Sequence, residues 1–310
     1  MNKKFISTKM KIVLLGLLIS SIGFYASGCI VLFKSDYNLS DYTYELNFNP
    51  NSFNYNFNFS NNFLNFINSY SSHDYDIDED IYEITFNSTS QNIEVVNTND
   101  SLLNIKIKSF SSSDTELDLV KNNNKMEFSS NINIPDYADI IISMPKFFSD
   151  KIILKITTRS GDININNFAS NAINASSASG NINFKNSNLN YIYSSSSSGD
   201  INLNSINSYI ETNLSCLSGS IKGDGTFGIL TGTTSSGNVS LTFKDNLRNV
   251  FLSSVSGDID LRLPSNSGYE VNYNTLSGDL NTDESNLVND DKSNKINVNT
   301  TSGDLNINKI

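Results

Sequence analysis

The side chains that recur in a pattern able to do chemistry are the acidic and amide groups that follow regularly spaced glycines. Residues 160–165 read Ser-Gly-Asp-Ile-Asn-Ile, and seven later segments repeat the Ser-Gly pair before Asp, Asn or Ser. Stacked Gly-Asp repeats bind calcium in nonapeptide rolls, where several glycines and aspartates occur in every repeat. Here each repeat supplies one such side chain, and Asn181, Ser220 and Asn238 replace the aspartate. The pattern therefore favours side chains that cap turns, and we predict no metal site.

Catalytic chemistry has few candidate residues in this chain. His73 is the single histidine and precedes the repeats, so neither a Ser–His pair nor a histidine metal site can be assembled. A carbohydrate-active β-helix enzyme would need clustered carboxylates or basic residues in a groove. The basic residues of the repeats share no common register: Arg159, Lys185, Lys222, Lys244, Arg248 and Arg262. We therefore predict a protein that is not an enzyme and has no catalytic or cofactor-binding residues.

The repeated glycines define the element that carries these side chains. Their first six gaps are 18 to 21 residues long and the last is 25, a period typical of a solenoid. An apolar residue stands two positions after every glycine, and in most repeats also four positions after it and seven before it, while the fifth position before it is looser; each repeat therefore supplies two short strands. We predict that each glycine supplies a positive φ at a turn. The eight glycines are Gly161, Gly180, Gly199, Gly219, Gly237, Gly257, Gly278 and Gly303.

The third residue before each glycine is always Ser, Thr or Cys. The alternation of the strand points it inward, where a hydroxyl can bond the backbone of a neighbouring rung. Cys216 fits this column as a small, buried, reduced thiol, and the second cysteine, Cys29, lies far away near the N-terminus. No disulfide framework is indicated. Outward columns of Ser or Thr would favour ice or glycan binding, but the column aligned here is predicted to face inward.

The segment around the first repeated glycine resembles the bacterial putative-adhesin families. It contains a strand, Met144-Pro145, a second strand, and then Thr-Arg-Ser-Gly-Asp at residues 158–162. These families are β-solenoid domains of unknown function, often exported or membrane-anchored in low-GC bacteria. The resemblance covers about residues 80–310 and is most specific between residues 140 and 166. It implies a surface location and an adhesive or envelope role, and it brings no catalytic residues.

The N-terminus carries the signal of export or membrane anchoring. Lys3, Lys4, Lys9 and Lys11 precede an uncharged run at residues 12–33. Ala-Ser-Gly-Cys at residues 26–29 resembles a lipobox, which would lipidate Cys29. Alternatively, the 22 residues of the run could span a bilayer as an uncleaved helix about 33 Å long. Both interpretations place the rest of the chain outside the cytoplasm.

The sequence thus predicts three segments. Residues 1–33 are the signal, lipoprotein or transmembrane anchor. Residues 34–79 are a spacer rich in Asn, Tyr and Phe, or a cap whose alternating aromatics at residues 53–59 cover the first rung. Residues 80–310 form an all-β, elongated, single-domain β-solenoid with about 20 residues per rung, most regular over residues 150–310. Within it, residues 81–156 are either irregular first rungs or a separate small β-sandwich.

Charge limits the partners of this domain. The formal net charge is −11, so a nucleic-acid backbone would be repelled. We expect a surface-displayed, adhesin-like protein that binds an envelope, host or matrix ligand along the solenoid, such as a glycan or a surface protein. An accessory protein of envelope-stress regulation is the alternative, and a carbohydrate-active enzyme is the third.

Overall fold

A computed structural model describes residues 70–109, 115–245, 248–265, 268–282 and 294–310, all within one unit, Ser69–Ile310. The predicted anchor, Cys29 and the spacer up to residue 69 lie outside the described residues. Among the residues described, no helix is both long and apolar enough to cross a membrane.

The described residues contain 22 strands and one short helix. The N-terminal elements are β1 (Tyr70–Tyr75), β2 (Glu83–Asn87), β3 (Asn92–Thr98), β4 (Leu103–Lys108), β5 (Asp118–Asn122), β6 (Lys125–Ser129), β7 (Asp139–Pro145) and α1 (Lys146–Ser149). The repeats supply β8 (Ile153–Thr158), β9 (Ile163–Asn166), β10 (Ala169–Ser177), β11 (Ile182–Lys185), β12 (Asn188–Ser196), β13 (Ile201–Cys216), β14 (Ile221–Thr226), β15 (Ile229–Thr234), β16 (Val239–Phe243), β17 (Val250–Ser256), β18 (Ile259–Leu263), β19 (Glu270–Asn274), β20 (Leu280–Thr282), β21 (Lys295–Ser302) and β22 (Leu305–Lys309).

The strands stack into two parallel columns joined at the glycines. Column A contains the strand before each glycine, and column B contains the strand after it. The two halves of β13 belong to neighbouring rungs, since its first half pairs with β14 and its second half pairs with β15. Equivalent positions of successive repeats stand side by side, as Leu154, Ile173 and Ile192 do in column A. The predicted all-β, solenoid-like architecture is confirmed.

The order of the rungs departs from the order of the chain at both ends. The Gly303 rung (β21 and β22) lies between the Gly257 rung and the Gly278 rung. At the other end, β2 and β3 lie between β6–β7 and β8–β9 and continue both columns. Antiparallel strands follow there, with β5 on β6, β4 on β7 and β1 on β4.

The core is the apolar space between the two columns. The residues predicted to point inward two positions after the glycine are fully buried in seven repeats, from Ile163 to Leu305. The prediction is wrong for Leu280, which is 41% exposed. Its rung is the outermost of the stack and is paired on one side only among the described strands. Burial of an inward side chain requires a neighbouring rung on each side.

Candidate functional site

The repeated glycines form a line in which each touches the next rung. A Cβ built on Gly180 would lie 2.0 Å from the carbonyl oxygen of Gly161, and one on Gly199 would lie 2.0 Å from that of Gly180. The same contact, at 1.9 to 2.3 Å, occurs at all eight glycines, with Gln91 beneath Gly161. Only Gly303 among the eight has a positive φ, of 157°. The predicted positive φ is therefore wrong for the other seven, where close stacking of backbones excludes a side chain.

The small side chains three positions before the glycines hold this line together. Ser196 Oγ accepts a hydrogen bond from Gly199 N at 2.9 Å and donates one to Gly180 O at 3.1 Å. Ser177 and Thr234 make the same pair of bonds in their own rungs. The predicted bond from this column to the neighbouring backbone is therefore confirmed for these three residues, whereas the buried Ser254 Oγ has no hydrogen-bond partner among the described residues.

Cys216 occupies the same column, and its thiol takes the place of a hydroxyl. Its Sγ lies 3.7 Å from Gly199 O. Burial, with a smaller contribution from the charge of Asp200, raises the pKa of the thiol to about 11. The protonated thiol is thus the favoured form at neutral pH.

The Asp and Asn side chains after the glycines cap the backbone of the adjacent rung. Asp162 Oδ1 accepts a hydrogen bond from Asn181 N at 2.8 Å, Asn181 Oδ1 accepts one from Asp200 N at 2.9 Å, and Asp200 Oδ1 accepts one from Ser220 N at 2.8 Å. Within the described part of the chain, no group of three metal-ligating side chains occurs. These side chains therefore serve as hydrogen-bond acceptors for backbone N–H groups of the adjacent rung.

A second hydroxyl column points outward from column A. It occupies the fourth position before each glycine, opposite to the buried column, and is Ser or Thr in six of the eight rungs and Asn in the other two. Ser176 and Ser195 share a hydrogen bond of 3.0 Å between their hydroxyls, and Thr233 Oγ1 donates to Ser215 Oγ at 3.2 Å. In stacking order the column is Thr157, Ser176, Ser195, Ser215, Thr233, Ser253, Asn299 and Asn274. This column was not predicted from the sequence, although the strand alternation that places its neighbours inward also places it outward.

Two open depressions border this outward column, which we call the ladder. One, of about 400 Å³, lies between the ladder and the corner residues Leu217 and Val255 and extends over five rungs. The other, of about 250 Å³, lies towards Asn174, Tyr193, Asn213 and Thr231. We call the combined surface the hydroxyl face and define it by Ser176, Ser195, Ser215, Thr233 and Ser253 together with the residues just named. Four rung spacings give it a length of about 19 Å.

Aromatic side chains accompany the ladder. The rings of Tyr191 and Tyr193 are nearly parallel, with centroids 6.4 Å apart. Burial raises the pKa of Tyr193, and the charge of Glu211 adds to the effect. Phe251 lies on the same outer face and is 43% exposed.

The lining of the two depressions contains no ionisable side chain other than Tyr193 and the thiol of Cys216. Asn213 Nδ2 donates to Glu211 Oε1 at 2.6 Å, which orients its amide group. The lining of the hydroxyl face therefore offers neutral donors, neutral acceptors and the ring of Tyr193, with the carboxylate of Glu211 beside Asn213.

Residues 81–308 match the family model described as Toastrack DUF4097. The chain belongs to this family. The match covers both columns of the toastrack domain, from β2 to β22, and confirms the predicted resemblance at the level of this domain. No curated protein matches. A crystal structure of a putative cell adhesion protein from Clostridium sporogenes aligns with 12% identity and a TM-score of 0.32, over 78% of this chain and all of that one.

The toastrack domain brings together the eight glycines that the sequence singled out, and the first five of them are buried. They lie in one line along the turn between the two columns, in the order Gly161, Gly180, Gly199, Gly219, Gly237, Gly257, Gly303 and Gly278. Their function is to let rungs approach.

Proposed function

We propose that this protein is a surface-displayed, non-enzymatic attachment protein that holds a hydroxyl-rich ligand on the hydroxyl face of its toastrack domain. The observation that carries the proposal is the outward ladder of Ser and Thr hydroxyls over five consecutive rungs, bordered by depressions of about 400 and 250 Å³. A hydroxyl group both donates and accepts hydrogen bonds. Each Ser or Thr of the ladder can therefore be either the donor or the acceptor towards a hydroxyl of a glycan.

The chemistry of this face supports binding rather than catalysis. Hydrolysis of a glycosidic bond uses a pair of carboxylic groups placed on either side of it. No carboxylate lines the two depressions. Neutral hydroxyls and amides can orient a ligand, while exposed aromatic rings supply apolar contact area.

The proposed location follows from the N-terminal sequence. Lysines followed by an uncharged run at residues 12–33 would export the domain and keep it at the membrane. Mass spectrometry of the mature protein distinguishes the two anchors, because a lipidated Cys29 would be the new N-terminus whereas an uncleaved helix would keep Met1. A mature chain that begins beyond Cys29 and carries no lipid would contradict both.

Blocking the hydroxyl face tests the proposal. Ser215→Lys with Thr233→Lys places two long side chains on exposed positions of the ladder. We expect the full-length variant to lose binding to isolated cell walls and insoluble polysaccharides, and cells producing it to attach less. Ser240→Lys is the matched control, since Ser240 is exposed on the outer face of column B. Equal attachment by the blocked variant and the wild type, with unchanged circular dichroism, would refute the proposal.

A further inference from the structure

We infer that the ligand of the hydroxyl face is a linear, uncharged polysaccharide whose chain runs along the stack with about one sugar ring per rung. This inference rests on the proposed attachment function and specifies the chemical class and the direction of the ligand. Three observations beyond the ladder support it: the rung spacing, the position of the aromatic residues and the lack of a cationic side chain in the lining of the depressions.

The spacing of the rungs sets the direction of the ligand. Successive strands of a sheet are about 4.8 Å apart. Ser195, Ser215 and Thr233 therefore present one hydroxyl each at this interval, in register across β12, β13 and β15. A sugar ring in an extended β-linked chain has a similar length. A chain along the stack thus meets an equivalent hydroxyl at every ring, whereas a chain along a strand would meet the ladder at one rung only.

Two aromatic side chains mark the ends of such a chain. Tyr193, Asn213, Thr231 and Phe251 are register partners in one outward column beside the ladder. Three rung spacings place Phe251 about 14 Å from Tyr193. An aromatic ring packs against the apolar face of a sugar ring, and the stacked ring of Tyr191 supports Tyr193 from the side. Between the aromatics, the amide of Asn213 and the hydroxyl of Thr231 supply neutral hydrogen-bonding groups.

The charges near the hydroxyl face favour a neutral polymer over a polyanion. No Lys or Arg lines the depressions, and the whole chain has a formal net charge of −11. A polyanion would therefore find no paired cation on the face and would be repelled at longer range. A neutral polysaccharide has no such cost.

Titration of the full-length protein with β-1,4-linked glucose and N-acetylglucosamine oligomers of one to six rings tests the inference. We expect affinity to rise with length up to four or five rings in at least one series and then to level off. Tyr193→Ala and Phe251→Ala should each weaken binding of the longest oligomer about tenfold. Tyr209→Ala is the matched control, because Tyr209 is 54% exposed and lies outside the column that Tyr193, Asn213, Thr231 and Phe251 form.

The outcomes separate this inference from the proposed function. No binding by either neutral series, no dependence on length, or tighter binding of polygalacturonate would overturn the inference. If the Ser215 and Thr233 block still abolished attachment to cell walls, the attachment function would stand with another ligand. If the block had no effect on attachment, the proposed function would fall, whatever the oligomers do.

Discussion

Replacement of Gly199 by alanine tests whether the glycine line exists to let rungs approach. The new Cβ would lie 2.0 Å from the oxygen and 2.5 Å from the carbon of the Gly180 carbonyl. A carbon and a carbonyl oxygen in close contact are about 3.3 Å apart, so the two rungs would have to separate by about 1 Å. Both partners are backbone atoms, so no side-chain rotation can relieve the overlap.

The cost follows from the hydrogen bonds that cross between these two rungs. They include Ser198 N to Ala178 O at 3.1 Å, Ser196 Oγ to Gly180 O at 3.1 Å and Asp200 N to Asn181 Oδ1 at 2.9 Å. Each contributes about 1 kcal/mol net, so loss of the three would lower the free energy of unfolding by about 3 kcal/mol.

Urea denaturation followed by far-UV circular dichroism measures this loss, and hydrogen exchange in the two rungs locates it. Gly232→Ala is the matched control, because its Cβ would meet no backbone atom and only the terminal side-chain atom Cδ2 of Leu252, at 2.6 Å. We expect the control to lose less than about 1 kcal/mol. Equal midpoints for the two variants would refute the stacking argument, and so would loss of exchange protection spread evenly over the stack.

Three further predictions concern the columns and their order. Ser196→Ala should lower the free energy of unfolding by about 1–3 kcal/mol, because a buried backbone N–H and a buried C=O lose their hydrogen-bond partner. In the same urea denaturation, Ser195→Ala should change it by less than about 0.5 kcal/mol. From about pH 8.5 to 11 the wild type should lose stability relative to Cys216→Ser, because the unfolded thiol ionises there while burial keeps the folded thiol protonated; parallel pH profiles would contradict this. Asp260→Cys with Asn306→Cys should form a disulfide on oxidation, because the two positions are register partners about 4.8 Å apart; stacking in chain order would place them two rungs apart and leave free thiols in a mass spectrum.

Much of a rung could be predicted from spacing alone. The alternation about each glycine identifies inward residues, and Ile163 and Ile182 are buried as predicted. The reason for the glycines could not be predicted in the same way. A positive φ and a close approach of two backbones both favour glycine over any residue with a side chain. The sequence shows that glycine is present but not which of the two causes requires it. The distance from a hypothetical Cβ to the next carbonyl distinguishes the two causes.

The hydroxyl face was harder to predict because its residue types are the same on both sides of the strand. Residues 194–198 are all serine. Ser194 and Ser196 are buried, while Ser195 is exposed and belongs to the ladder. Residue type therefore gives no sign of which face is which in this segment, and the sequence shows neither the depression towards Tyr193 nor the corner at Leu217. Alternation from a buried neighbour was the one usable signal.

The order of rungs at the C-terminal end follows from the composition of their interiors. Parallel strands with the same register can pair with any equivalent rung, so the period does not fix the order. A rung between two neighbours buries its inward side chains completely, and an end rung cannot. Ile296 and Leu305, from the Gly303 rung, are fully buried in the interior position, whereas the Gly278 rung carries Tyr273 and Thr282 at its inward positions and lies at the end. Exchanging the two rungs would expose more apolar surface, so the hydrophobic effect favours the order observed over the order of the chain.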